Sequence, residues 1–325
     1  MKIGIIGCAD IAFKRFMPAA KKMANITVVA VAEEYNVQKL EPFCNEYGIE
    51  GMSDFAALIK RDDIDAIYVP QPPALHYKWA KEALLNGKHV LVEKPSTDSS
   101  VRSKELVDIA KERGLTLHEN YMFQYHSQIG SILKMISEGE VGDVRLFKAS
   151  FGFPLRAGND FRYNKKLGGG ALLDAGGYTI KLASILLGNT AQIDAAKLSS
   201  VSGFEVDMYG SAQLSNKQGQ VCQICFGMDC AYQCSLEVWG NKGYLSTDRI
   251  FTAPDGFEPV VKITNSNETR TVKLESDNHF ANSIKMFIAE TEDKELREKM
   301  YNQIVHQASL VDRFRDLSGY VEERQ

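Results

Sequence analysis

A chain of 325 residues, 44% hydrophobic and 25% charged, carries enough apolar surface for two cores, so two domains are expected. Lys and Arg number 38 against 42 Asp and Glu, and the formal net charge of −4 gives no electrostatic footing for nucleic acid or an acidic membrane surface. No apolar run reads as long enough to cross a bilayer, and one Lys before a short apolar stretch is too little for a signal core, so a cytoplasmic protein is expected.

The chain opens on an apolar strand, Lys2–Gly7, that turns through Cys8, Ala9 and Asp10 into helical spacing over Ile11–Met23. Strand pattern returns at Ile26–Ala32. Val37–Tyr47 reads as a helix stopped before Gly48, and Ser53 or Asp54 caps a short helix through Lys60. Ala66–Val69 is a buried strand, and Pro70-Gln71-Pro72-Pro73 leads into a helix over Ala74–Asn86 with Gly87 in the C-cap slot. His89–Val92 is strand, Ser99–Arg113 is helix ended by Gly114, and Leu115–Glu119 closes the series. Repeated strand–helix units of this kind build a doubly wound parallel sheet covered on both faces.

After Asn120 the rhythm changes, which places a dinucleotide-binding domain at 1–120 and a substrate-binding and oligomerisation domain at 121–325. Ser127–Ser137 reads as helix, Val144–Phe153 as a long strand, and Gly168–Gly170 leads into a helix through Leu187. Seven strand patterns follow between Ile193 and Leu274, separated by turns such as Asn216-Lys217-Gln218-Gly219, and helices over His279–Glu290 and Lys294–Leu317 close the chain. The fold class is therefore α/β plus α+β, the second domain holding a large, open, mostly antiparallel sheet. Cys222, Cys225, Cys230 and Cys234 cluster in it. Cys222 and Cys225 have opposite parity along a strand and cannot both face one metal, so reduced structural thiols are expected and no metal site.

Four stretches carry chemistry. Gly7-x-Ala9-x-x-Ala12 is a degenerate Gly-x-Gly-x-x-Gly between strand and helix, where the backbone of Gly7, Cys8, Ala9, Asp10 and Ile11 can approach a pyrophosphate. Glu33, after the second strand, is placed to accept from the adenosine ribose. No Arg stands at 33–35, so NAD is favoured over NADP. Pro70, Gln71 and Pro72 form a stiff wall suited to the nicotinamide-ribose end; His76 either reaches that ribose or amide or is structural. Glu93-Lys94-Pro95 puts a lysine just past the end of a buried strand, where doubly wound sheets bind ligands.

The turn at Gly7–Ala12, Glu93-Lys94-Pro95 and the run Gly168-Gly169-Gly170-Ala171-Leu172-Leu173-Asp174-Ala175-Gly176-Gly177-Tyr178 together resemble the glucose–fructose oxidoreductase / inositol dehydrogenase / MocA family over essentially the whole chain. Within it the sequence is most similar to the sugar-nucleotide 3-ketoreductases of deoxysugar biosynthesis. The resemblance implies that Lys94 is catalytic, that Asp174 and Tyr178 face it across a cleft, that Glu93 belongs to the cofactor site, and that the second-domain sheet mediates a homodimer or higher oligomer. Many family members carry His where this chain has Tyr178; the subgroup it resembles uses Tyr.

Chemistry agrees with that assignment. Hydride addition to a ketone makes an alkoxide that needs a proton donor, and a tyrosine beside an ammonium suits the task. The alternatives are a core tyrosine at 178 and an Asp174–Lys181 ion pair. Tyr125, His126, Arg156 and Arg162 are substrate candidates, the arginines as partners of a diphosphate. The triple glycine either lets the backbone approach a ligand or only starts a helix. The expected activity is NAD(P)-dependent reduction of a 3-keto group on a nucleotide-linked deoxyhexose. The alternatives are oxidation of a free sugar, polyol or dihydrodiol, and a non-catalytic NAD(H) sensor.

Overall fold

The computed structural model describes residues 1–320, which form two compact units, residues 1–121 with 280–308 and residues 122–279 with the terminal stretch from 309. The first unit holds six parallel strands: β1 (Lys2–Ile6), β2 (Thr27–Ala32), β3 (Glu50–Met52), β4 (Ala66–Val69), β5 (His89–Glu93) and β6 (Leu117–Asn120). Their order is β3-β2-β1-β4-β5-β6, so the chain starts in the middle of the sheet and winds outward both ways. The central strands are buried on both faces, as the apolar runs require. The connecting helices are α1 (Met17–Ala20), entered through a π turn at Ala12–Phe16, then α2 (Leu40–Tyr47), α3 (Phe55–Ile59), α4 (Pro73–Leu85) and α5 (Ser100–Arg113). Asp54 caps α3 by accepting from the Ala57 N–H. β3 is absent from the sequence reading: three residues, Glu-Gly-Met, on a solvent-facing edge carry no apolar pattern.

The second unit holds α6 (Ser127–Ser137), β7 (Val144–Gly152), α7 (Gly177–Leu187) and β8 (Gln192–Ser200). It continues with β9 (Asp207–Ser215), β10 (Val221–Gly227), β11 (Gln233–Gly240), β12 (Gly243–Asp248), β13 (Val260–Asn265) and β14 (Thr269–Lys273). The eight strands run in the order β14-β13-β12-β11-β7-β10-β9-β8, every neighbouring pair antiparallel except β10 with β7. One face is core, with Phe147, Phe151, Ile224, Phe226 and Leu236 buried, and α7 packs on β7 and β10. Cys222 is buried in that core and Cys225 is exposed on the opposite face, as their parity requires.

α8 (His279–Glu292) and α9 (Lys294–Ser318) do not stay wholly with the second unit, to which the sequence reading assigned them. Residues 280–308 pack with the first unit through polar contacts. The Tyr301 hydroxyl donates to the Leu115 carbonyl, Lys111 pairs with Glu298 at 2.9 Å, and His118 pairs with Glu290 at 2.9 Å. One stretch also departs from the membrane expectation: Lys165–Leu187 is long and apolar enough to cross a bilayer by length and composition, and 83% of its apolar window is buried inside the fold as a core helix.

Candidate active site

In the first unit, the turn after β1 is built for close approach. Gly7 has φ 114°, and a Cβ there would collide with the Gln71 side-chain amide, so only glycine fits. Ala12 is fully buried, which lets the following helix lie close to the sheet. Cys8, Ala9, Asp10 and Ile11 follow at the helix start, with Asp10 engaged by Lys14 at 2.7 Å. The residues present fit a dinucleotide: a left-handed glycine, small neighbours, and a helix N-terminus after a parallel strand.

Three of the predicted cofactor contacts are engaged elsewhere. Glu33 is buried and turned back on the loop. Its Oε2 accepts from the Cys8 N–H (2.9 Å), and its Oε1 accepts from the N–H groups of Tyr35 (2.9 Å) and Asn36 (3.1 Å). Its carboxylate orders the turn through three of its acceptor positions. Gln71 donates its amide to the Ile6 carbonyl at 2.7 Å, tying the Pro70–Pro72 loop to β1. His76 is a brace: Nδ1 lies 2.7 Å from the Pro95 carbonyl and Nε2 2.5 Å from the Gln71 carbonyl, with the ring 1% exposed.

Burial pushes the His76 imidazole down to about 4, against the two carbonyls, which favour the charged ring. The unfolded chain therefore takes up this proton first, near pH 6.5, and stability falls as pH drops from about 6.5 to about 4. The loss attributable to His76 is about 3 kcal/mol. The melting temperature of wild type should decline across that window more steeply than that of His76→Gln.

Lys94 follows β5, half-buried, with a cis bond to Pro95. Its loop is held on three sides. Glu93 accepts from the Tyr68 hydroxyl (2.8 Å) and the Asn120 amide (2.6 Å), His76 meets the Pro95 carbonyl, and the Ser96 N–H donates to Glu119 at 2.8 Å. Glu93, predicted at the cofactor site, is thus an anchor beneath Lys94. Burial raises its carboxyl above the usual range, opposed by Tyr68, Asn120 and the Lys94 charge.

The anchor continues inward. Asn120 Oδ1 accepts from Ser283 Oγ (2.8 Å), Ser283 Oγ lies 3.1 Å from His118 Nε2, and His118 Nδ1 lies 2.9 Å from Glu290 Oε2. With the serine proton given to Asn120, His118 Nε2 is the donor to Ser283 Oγ, and Nδ1 faces the Glu290 carboxylate. None of Asn120, Ser283, His118 or Glu290 stood out in the sequence, because their partners lie more than 160 residues away.

In the second unit, Tyr178 lies in the second residue of α7, 7% exposed, in an aromatic cage. Ring centroids of Phe151, Phe123 and Phe251 lie 5.3, 5.7 and 5.9 Å away, and its hydroxyl donates toward the Met122 sulfur at 3.6 Å. Asp174 lies in a π turn, Leu172–Gly176, and not on a continuous α-helix, which changes its phase relative to Tyr178. Arg162 reaches it from the preceding loop: Arg162 Nε donates to Asp174 at 2.6 Å, and its other arm pairs with Asp160 at 3.1 Å.

Arg162, a substrate candidate in the sequence, is flanked by two carboxylates that offset its charge. Arg162→Ala removes a cation that Asp160 and Asp174 share and should cost up to about 3 kcal/mol in a denaturant melt, because breaking a largely buried pair is destabilising. Arg156 is exposed, its guanidinium 5.0 Å from the Phe153 ring. His126 is buried and caps α6 by accepting from the Gln128 N–H; Tyr125 ends the short 3₁₀ turn at Met122–Tyr125. The triple glycine meets the chain's own atoms. A Cβ on Gly169 would strike the Arg162 carbonyl and one on Gly170, at φ 119°, would strike Asp207. Asp207 then accepts from the Leu172 N–H at 2.7 Å, a helix-start contact that no local sequence signal marks.

Residues 1–121 match the model for an oxidoreductase family with an NAD-binding Rossmann fold, and residues 131–246 that for the GFO/IDH/MocA C-terminal domain. A dTDP-3,4-didehydro-2,6-dideoxy-alpha-D-glucose 3-reductase from Actinomadura kijaniata is 38% identical over 97% of this chain and 95% of its own. The protein of the same name from Streptomyces antibioticus is 36% identical over 96% and 95%. Among solved structures, a 3-ketoreductase from Actinomadura kijaniata in complex with NADP and TDP-benzene superposes with TM-score 0.94 at 38% identity, covering 98% of this chain and 97% of that one.

Proposed function

The chain belongs to the GFO/IDH/MocA family of NAD(P)-dependent oxidoreductases, and we propose that it uses NADPH to reduce the 3-keto group of a dTDP-linked 2,6-dideoxyhexose. The observation that carries this reading is near-complete coverage by 3-reductases of such a sugar, supported by the presence of Lys94 and Tyr178 in the sequence.

NADP(H) is the proposed cofactor. Its support is the NADP bound by the structural relative. The backbone of Gly7, Cys8, Ala9, Asp10 and Ile11 would hold the pyrophosphate, with Pro70 and Pro72 beside the nicotinamide ribose. When bound, the cofactor supplies hydride from the nicotinamide ring. Tyr178 gives its phenolic proton to the oxygen that becomes the alcohol, and the Lys94 ammonium stabilises negative charge on that oxygen before the proton arrives. Asp174 holds Arg162 and is assigned a positioning role.

A substrate panel tests the reading. NADPH absorbance should fall with a dTDP-linked 3-ketodeoxyhexose and stay flat with free sugars, polyols and dihydrodiols plus NAD(P). Turnover of a free polyol alone would overturn the substrate, and tight cofactor binding without turnover of any of them would favour a sensor.

The quaternary proposal is a homo-oligomer formed through the open face of the eight-stranded sheet. Tyr209, Trp239 and Val260 stand on it at 47%, 46% and 42% exposure. Light scattering should give at least twice the mass of the 36.2 kDa chain, and a monomer would refute it.

A further inference from the structure

Arg249 is the one non-glycine residue with positive φ, 53°, among the described residues. A long side chain in the left-handed region is strained, and such strain persists where surrounding structure or function holds it. Its guanidinium lies 5.3 Å from the Tyr232 ring and 5.8 Å from the Phe257 ring. The aromatic contacts supply cation–π attraction but no hydrogen-bond acceptor for the guanidinium N–H donors. No carboxylate or other protein acceptor takes those donors among the described residues, in contrast to Arg61, Arg162 and Arg270, each paired to carboxylates. Beside it, the hydroxyls of Tyr232 and Thr252 are hydrogen-bonded at 2.6 Å.

The position is chemically pointed. Arg249 directly follows β12, and two residues later Phe251 enters the cage around Tyr178. Tyr232 precedes β11, whose Gln233 pairs with Gly152 at the end of β7; Arg156 follows from that same end. Arg162 is neutralised by Asp160 and Asp174. Resting on the nucleotide-sugar reading above, we infer that Arg249 is a specificity residue that binds the diphosphate of the substrate by charge-assisted hydrogen bonds, oriented by Tyr232 and Phe257.

The strain itself supplies the control. Glycine adopts φ 53° freely, so Arg249→Gly should melt no lower than wild type if the arginine is kept for recognition. Calorimetric titration with dTDP should show binding weakened about 10- to 100-fold in Arg249→Gly and less in Arg249→Lys, which keeps charge but not the fork. NADPH affinity should be unchanged in both. Wild-type affinity for dTDP in Arg249→Gly, or a lowered melting temperature in both variants with the dTDP affinity of the folded protein intact, overturns the inference and makes the arginine a packing residue. Wild type that binds neither dTDP nor inorganic pyrophosphate overturns the nucleotide-sugar reading and this inference with it.

Discussion

Lys94→Ala is expected to lower turnover by about 10²- to 10³-fold while NADPH still binds, the loss typical of removing one donor aimed at a developing oxyanion. The size follows from preorganisation. The loop is fixed by Glu93 on Tyr68 and Asn120, by Pro95 on His76 and by Ser96 on Glu119, so the ammonium incurs little reorganisation when charge forms. The alanine variant keeps all three anchors, since none is made by the Lys94 side chain. Fluorescence titration of NADPH separates the outcomes: retained binding with collapsed turnover fits a catalytic lysine, and near-normal turnover refutes it.

Tyr178→Phe should reduce turnover by about 10²- to 10⁴-fold, the range for a positioned general acid. Phenylalanine preserves the ring against Phe123, Phe151 and Phe251 and removes the contact to the Met122 sulfur, a weak acceptor. Melting temperature should therefore stay near that of wild type. A variant that loses stability and activity in proportion would make Tyr178 a core tyrosine, the alternative its apolar helix suggests.

Most of the fold was legible because its signals are local. Apolar runs such as Ile3–Ile6 and Ala66–Val69 marked central strands, and Gly87 and Gly114 marked helix ends. The short edge strand β3 lacked any such pattern. The π turns at Ala12–Phe16 and Leu172–Gly176 keep the apolar spacing of α-helix, so nothing in the sequence separates them from it. The return of 280–308 to the first unit depends on pairs such as His118–Glu290, which no local pattern reveals.

The site was legible in residue type more than in partner. Lys94 and Tyr178 were marked by motif. Glu33 was read as a ribose acceptor because position after β2 is visible in a sequence, whereas the backbone N–H groups that claim its oxygens are not. Arg162, which reaches Asp174 from a preceding loop, could not be paired with it from helical spacing. Arg249 stands in a stretch, Arg249-Ile250-Phe251-Thr252, that resembles the family, but composition and spacing assign it no role; its backbone angle and aromatic neighbours single it out.

The central claim is direct hydride delivery to carbon 3 of a nucleotide-linked sugar. NADPH deuterated at the transferring position of nicotinamide C4, incubated with the dTDP-linked 3-ketodeoxyhexose and this enzyme, should yield product with one deuterium at C3 by mass spectrometry and NMR. Unlabelled product, or deuterium at another carbon, would contradict it.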